Sequence, residues 1–178
     1  MTKFSLAGKW VIMKKQRRIL FSLVLMLFLL ACSTASTEKG NVLRGKVVRV
    51  ADGDTVTILV DETQHRIRLD GIDCPELKQA FGRKAKDFVS DLVFGETVKV
   101  VYEDTDFYGR ILGVVYAPGG VNVNEELLKA GLAWHYKQYN KSEKLARLED
   151  AARAAKKGLW ADKNPMPPWE FRKSKKKK

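Results

Sequence analysis

The sequence is poor in the residues that would let chemistry or stability rest on sulfur and imidazole. Among 178 residues there are two cysteines, Cys32 and Cys74, and two histidines, His65 and His135. If Cys32 is modified, no intramolecular disulfide remains, so the fold must be held by a packed core. Neither histidine falls at a position where a site is expected, and both read as surface or half-buried residues. A long apolar run is also missing. The stretch Ile19 to Ala31, interrupted only by Ser22, is shorter than the ~20 residues of a membrane-spanning helix. There are no internal repeats. The net charge of +12 is absent from the centre of the chain: residues 1–31 hold six Lys/Arg and no acids, residues 163–178 hold seven Lys/Arg and one acid, and residues 42–162 balance to zero. Bulk positive charge therefore does not make the central region a polyanion binder; that inference covers only the tail.

The N-terminal segment has the layout of an export signal. Lys14 to Arg18 is a basic region, the apolar run follows, and Leu29-Leu30-Ala31-Cys32 closes it. This ending resembles a bacterial lipoprotein signal, which implies removal of residues 1–31 and lipidation of Cys32. The alternatives are a secreted domain or an uncleaved signal anchor, and Met13 is an alternative start. In each case the domain is expected outside the cytoplasmic membrane. Residues 32–41 read as a polar tether. About 140 residues remain, the size of one domain.

Residues 42–162 are expected to form that domain. Strands are expected over Leu43–Val50, Thr55–Val60, His65–Leu69, Thr97–Tyr102 and Arg110–Tyr116. Helices are expected over Gly82–Phe94, after a cap at Asn122 or Asn124, and over Ser142–Lys157. The pattern predicts a β-rich α+β fold: a five-stranded Greek-key barrel of the OB type with three helices, one inserted after the third strand. Residues 163–178, rich in Pro and Lys, read as a disordered basic tail, able to hold polyanions or an anionic membrane surface.

The chemistry concentrates in residues 50–76. The strands Thr55–Val60 and His65–Leu69 form a hairpin, which returns its far end to the level of its start. Asp54 and Asp73 can therefore meet, with Glu76 nearby and Arg68 on the strand between them. Carboxylates and an arginine in one place suit a hard metal ion acting on a phosphate.

Five pieces in order, Asp52-Gly53-Asp54-Thr55, Arg68 with Asp73-Cys74-Pro75-Glu76, Asp106-Phe107-Tyr108-Gly109-Arg110, Asn124-Glu125 with Ala130-Gly131-Leu132-Ala133, and Gly158-Leu159-Trp160, resemble the staphylococcal nuclease-like (thermonuclease) domains. The resemblance spans residues 43–160. It implies a monomeric OB-type barrel and a Ca2+-dependent phosphodiesterase that cleaves DNA and RNA with little sequence preference. It further implies that Asp54, Asp73 and the main-chain carbonyl of Cys74 bind Ca2+, and that Arg68 and Arg110 clamp the phosphate. Glu76 would activate water, and Asp52 would support the site from behind. Tyr108 resembles a nucleotide-pocket tyrosine, and a second lies at Tyr136 or Tyr139. Two departures stand out: the loop after Glu76 is short, and Phe107 replaces a lysine. Inactive members of such families serve as binding modules. That is the alternative reading, against which stand the intact Asp54, Arg68, Asp73, Glu76 and Arg110.

Overall fold

The computed structural model describes residues 40–176. The expected signal peptide, Cys32 and nearly all of the tether lie outside the described residues. Among the described residues, no helix is long and apolar enough to cross a membrane.

The first strand, β1 (Asn41–Asp52), is long because it serves two neighbours. It pairs with β2 (Thr55–Val60) on one side and with β5 (Thr97–Thr105) on the other. Register shifts after Val47 and after Val50 bend it from one neighbour toward the other, as bulges do. β2 turns into β3 (Thr63–Leu69) through Asp61 and Glu62 alone, with φ of 42° and 67°. This two-residue turn matches the twist of its strands. β3 then runs parallel to β6 (Ile111–Tyr116), and β6 pairs antiparallel with β5. The closed order is β1-β2-β3-β6-β5, the five-stranded mixed barrel that the sequence predicts.

Alternation fills the interior with Val47, Val56, Ile58, Ile67, Leu69, Val98, Val100 and Val115, all buried. Each stabilises the fold by roughly 1.5–3 kcal/mol relative to exposure. Helix α1 (Gly82–Val93) lays Ala85, Val89 and Val93 onto this core. Helix α2 (Val123–Lys129) is capped by Asn122, whose side chain accepts from the Glu125 amide. That settles which asparagine caps. Asn124 instead is buried and ties three segments together: its Oδ1 accepts from the Val115 amide, and its Nδ2 donates to the Asp70 carbonyl at 2.8 Å. Helix α3 (Glu143–Ala154) is capped by Ser142.

Two short strands lie outside the barrel. β4 (Ile72–Asp73) pairs with β7 (Trp134–His135) and carries Asp73 on a ledge beside the barrel mouth. A second apolar cluster gathers Trp134, Ala152, Leu159 and Trp160 beneath it.

Three expectations are corrected. Residues 163–178 are not a disordered tail throughout, because Pro168–Lys176 forms a fourth described helix, α4. Pro168 opens it where no amide is needed, Glu170 lies in its first turn and Lys173, Lys175 and Lys176 lie in its last, matching the helix dipole. Trp169 anchors it against Trp134 and Tyr136. The strand expected to end at Tyr102 continues to Thr105 as β5. His135 is buried rather than half-exposed, because β7 turns it inward under α3.

Candidate active site

The site begins with a glycine. Gly53 lies between α1 and the β4 ledge, where an added Cβ would come within 2.6 Å of Ala85 Cβ and 2.9 Å of Cys74 Cβ. No larger residue fits, so the Asp52-Gly53-Asp54 turn sits close against Cys74. The Cys74 amide then donates to Asp54 Oδ2 at 2.7 Å, and Asp52 Oδ1 accepts from the Asp54 amide. Gly82 has a similar role beyond the ledge. Its added Cβ would lie 1.9 Å from the Glu76 carbonyl, so glycine lets the short loop after Glu76 fold tightly onto the start of α1.

Register brings the arginine in. Arg68 lies opposite Thr55 on the hairpin. Its Nη1 donates to the carbonyls of Leu69 and Ile72 at 2.7 and 2.8 Å, and its Nη2 to Asp73 Oδ1 at 3.0 Å. Its Nε lies 3.3 Å from Asp54 Oδ1. The guanidinium thus bridges the two acids that the sequence places at opposite ends of the hairpin. Burial alone would lower the Arg68 pKa, but Asp54 and Asp73 outweigh it and push it up.

Asp54 is the strained member electrostatically. Burial lifts its pKa to about 7; Arg68 works against this, and Asp52 and Asp73 reinforce it. Burial also pushes the Cys74 thiol well up, with Asp54 adding to the effect. A thiol so held stays protonated and is a poor ligand for a hard cation.

The remaining predicted residues line the same cleft, about 910 Å³ in volume. Glu76 stands at its rim. Arg110 lines the cleft from the loop just before β6, where its Nε donates to Asp106 Oδ2 at 2.7 Å and its Nη2 lies at the same distance from that oxygen. Asp106 also accepts from the Tyr108 and Arg110 amides. Its slight burial raises its pKa, but these bonds prevail and lower it. Tyr108 is 77% exposed and Tyr139 72% exposed. Tyr136 packs edge-on to Tyr139, and its ring lies parallel to that of Trp169. Phe107, in place of a lysine, projects into solvent beside Tyr108.

Sequence reasoning missed Trp169, Arg172, Lys173 and Lys176, which also line the cleft. Arg172 donates to both oxygens of Asp73 and to Glu76. The available signal was Trp169 and Arg172 at i and i+3 after a proline pair, masked by the lysine run.

A family model described as staphylococcal nuclease homologue matches residues 66–162. The chain belongs to the staphylococcal nuclease family. Its relatives agree. A protein named uncharacterized endonuclease from Escherichia coli is 51% identical over 130 residues, covering 73% of this chain and 85% of the relative. A micrococcal nuclease of Shigella flexneri is 43% identical over 143 residues, covering 75% and 82%. An uncharacterized endonuclease of Haemophilus influenzae is 40% identical over 161 residues, covering 90% and 88%.

Whether the cleft suits the family's cation is a matter of its donors. Among the described residues, no three acid, histidine or cysteine side chains converge into a ready metal cage. Asp54 and Asp73 do meet through Arg68, and both are hard oxygen donors. The cleft as a whole carries Asp52, Asp54, Asp70, Asp73, Glu76 and Asp106 against Arg68, Arg110, Arg172, Lys173 and Lys176. The gathering of carboxylates, with Asp54 held at a raised pKa, suits a hard cation that completes its shell with main-chain oxygen and water.

Proposed function

We propose that this chain is a Ca2+-dependent nuclease that hydrolyses phosphodiester bonds of DNA, RNA or both with little sequence preference. It acts outside the cytoplasmic membrane, tethered through a lipidated Cys32. The observation that carries the catalytic reading is Arg68 bridging Asp54 and Asp73 in a cleft that Arg110 also lines. Apart from the basic side chains of α4, the cleft sets six acids against two arginines, an excess that a bound cation would offset before a polyanion approached.

Asp54, Asp73 and the Cys74 carbonyl would hold Ca2+, which supplies Lewis acidity toward the phosphoryl group and a water of lowered pKa. Arg68 keeps a donor on Nη2 for a phosphate oxygen, since its other contacts are with the chain itself. Arg110 swings from Asp106 to the phosphate and offers a planar fork. Both guanidiniums favour the more highly charged transition state over the ground state. Glu76 takes the proton from water, a step typically contributing about 10²–10⁴-fold. Tyr108, Tyr136 and Tyr139 stack on bases, which tolerates any sequence.

Plasmid DNA and RNA should be degraded in Ca2+ and left intact in EDTA; undiminished cleavage in EDTA would remove the metal from the mechanism. The export reading rests on the Leu29-Leu30-Ala31-Cys32 ending. Cells fed a labelled fatty acid should label the wild-type chain and not Cys32→Ala. Equal labelling of both would end the lipid-anchor proposal.

A further inference from the structure

Helix α4 reaches the cleft with two side chains one turn apart, Trp169 and Arg172, which share a face. Arg172 meets Asp73 in two-pronged fashion, Nη1 to Oδ1 at 3.2 Å and Nη2 to Oδ2 at 2.8 Å, and its Nη1 also donates to Glu76 Oε1 at 2.9 Å. Both Asp73 oxygens are thereby engaged. Trp169 lies over Tyr136 with ring centroids 5.5 Å apart and planes at 10°. The segment leading into α4 is fastened as well, by the Gln79 side chain donating to the Met166 carbonyl. The acids assigned above to a cation and to water therefore face a guanidinium. The ring assigned to a base faces an indole.

We propose that α4 is an intramolecular latch: Arg172 stands in for the divalent cation at Asp73 and occupies Glu76, Trp169 stands in for a nucleobase on Tyr136, and Ca2+ and the docked helix exclude one another. The proposal rests on the reading that Ca2+ binds at Asp73. The exclusion is steric and electrostatic. A guanidinium on both Asp73 oxygens leaves no carboxylate edge for a second positive centre, and two cations on one acid repel. The latch is releasable because its hold is modest. The Arg172 side chain is 41% exposed, so its ion pairs are partly screened. The helix has nine residues, too few to persist alone once undocked. A protein that must open before binding shows an affinity reduced by its open fraction. The latch therefore sets a threshold of Ca2+ below which the acids stay neutralised by the chain itself.

Calorimetric titration of the full chain with Ca2+ tests this, comparing wild type, Arg172→Gln and Trp169→Ala, alongside mass-spectrometric timing of tryptic cleavage after Lys173. Arg172→Gln should bind Ca2+ about tenfold more tightly, as for a latch open about one-tenth of the time. Trp169→Ala, which touches neither acid, should tighten binding by about threefold. Ca2+ should also hasten the cleavage in wild type. Tightening in Arg172→Gln alone would mean simple removal of a like charge and would overturn the latch. So would equal affinities, weaker binding in Arg172→Gln, or cleavage indifferent to Ca2+; each of these leaves the metal reading standing. Absence of Ca2+ binding in all three proteins would overturn the metal reading and the latch with it.

Discussion

The two walls of the cleft are built on opposite principles. The inner wall joins buried Asp54 and Asp73 to a largely buried Arg68 near strand ends, and its guanidinium is fixed by two carbonyls and two acids. The outer wall, Phe107 to Arg110, is a loop whose aromatics stand in solvent and whose arginine is held by one nearby acid, Asp106. A charge fixed in a dry setting needs no reorganisation when charge develops on the substrate. A charge on a loop can follow substrates of different shape but must leave a partner to do so. The proposed cutting at many sequences would call for both.

The comparison breaks first at Arg68. Arg68→Ala removes the proposed donor to the phosphate and leaves Asp54 without its counter-charge, while Asp73 keeps only Arg172. Cleavage should fall by about 10²–10³-fold or more, and urea unfolding should show a loss of about 3–5 kcal/mol. Arg110→Ala should also lower the cleavage rate by about 10²-fold. Its stability should stay within about 0.5 kcal/mol of wild type, because Asp106 is left near water. Equal destabilisation by the two substitutions would erase the distinction between the walls.

A gentler test uses pH in EDTA, where the two acids should act with opposite sign. Asp54 has a folded pKa of about 7, above its ordinary 3.8. The folded state holds that proton more tightly, so its contribution is full below pH 3.8 and is lost as pH rises through about 7. Asp106 is lowered from 3.8, so its contribution is full above pH 3.8 and is lost as pH falls through the folded value. Stability of Asp54→Asn should therefore gain on wild type toward pH 8, and that of Asp106→Asn should gain below pH 3.8. A common direction for both would contradict the assigned environments.

Much of this was legible in the sequence because alternation and turn residues act locally. The hairpin carrying Arg68 follows from Thr55–Val60, a polar turn and His65–Leu69, and hairpin geometry alone brings Asp54 toward Asp73. The β4–β7 pair was not legible, since two-residue strands have no period. Nor was the burial of His135, which depends on where α3 lands. The docking of α4 was hidden by composition. Lysines dominate residues 173–178, while the two side chains that contact Tyr136 and Asp73, Trp169 and Arg172, look ordinary until those partners are known.

Asn124 has a consequence for how the molecule comes apart. Through its side chain, β6, α2 and the Asp70 backbone are fastened to one another. The Asp70 amide in turn donates to the Gly113 carbonyl, and the Gly71 carbonyl accepts from Tyr136. The two-residue ledge bearing Asp73 thus has no hinge of its own and cannot fray as an independent foldon. Its opening belongs to the cooperative unit of the barrel, so amide exchange at Cys74 should proceed at the pace of global unfolding. Heat would abolish the site and the barrel in a single step, and refolding would restore them together.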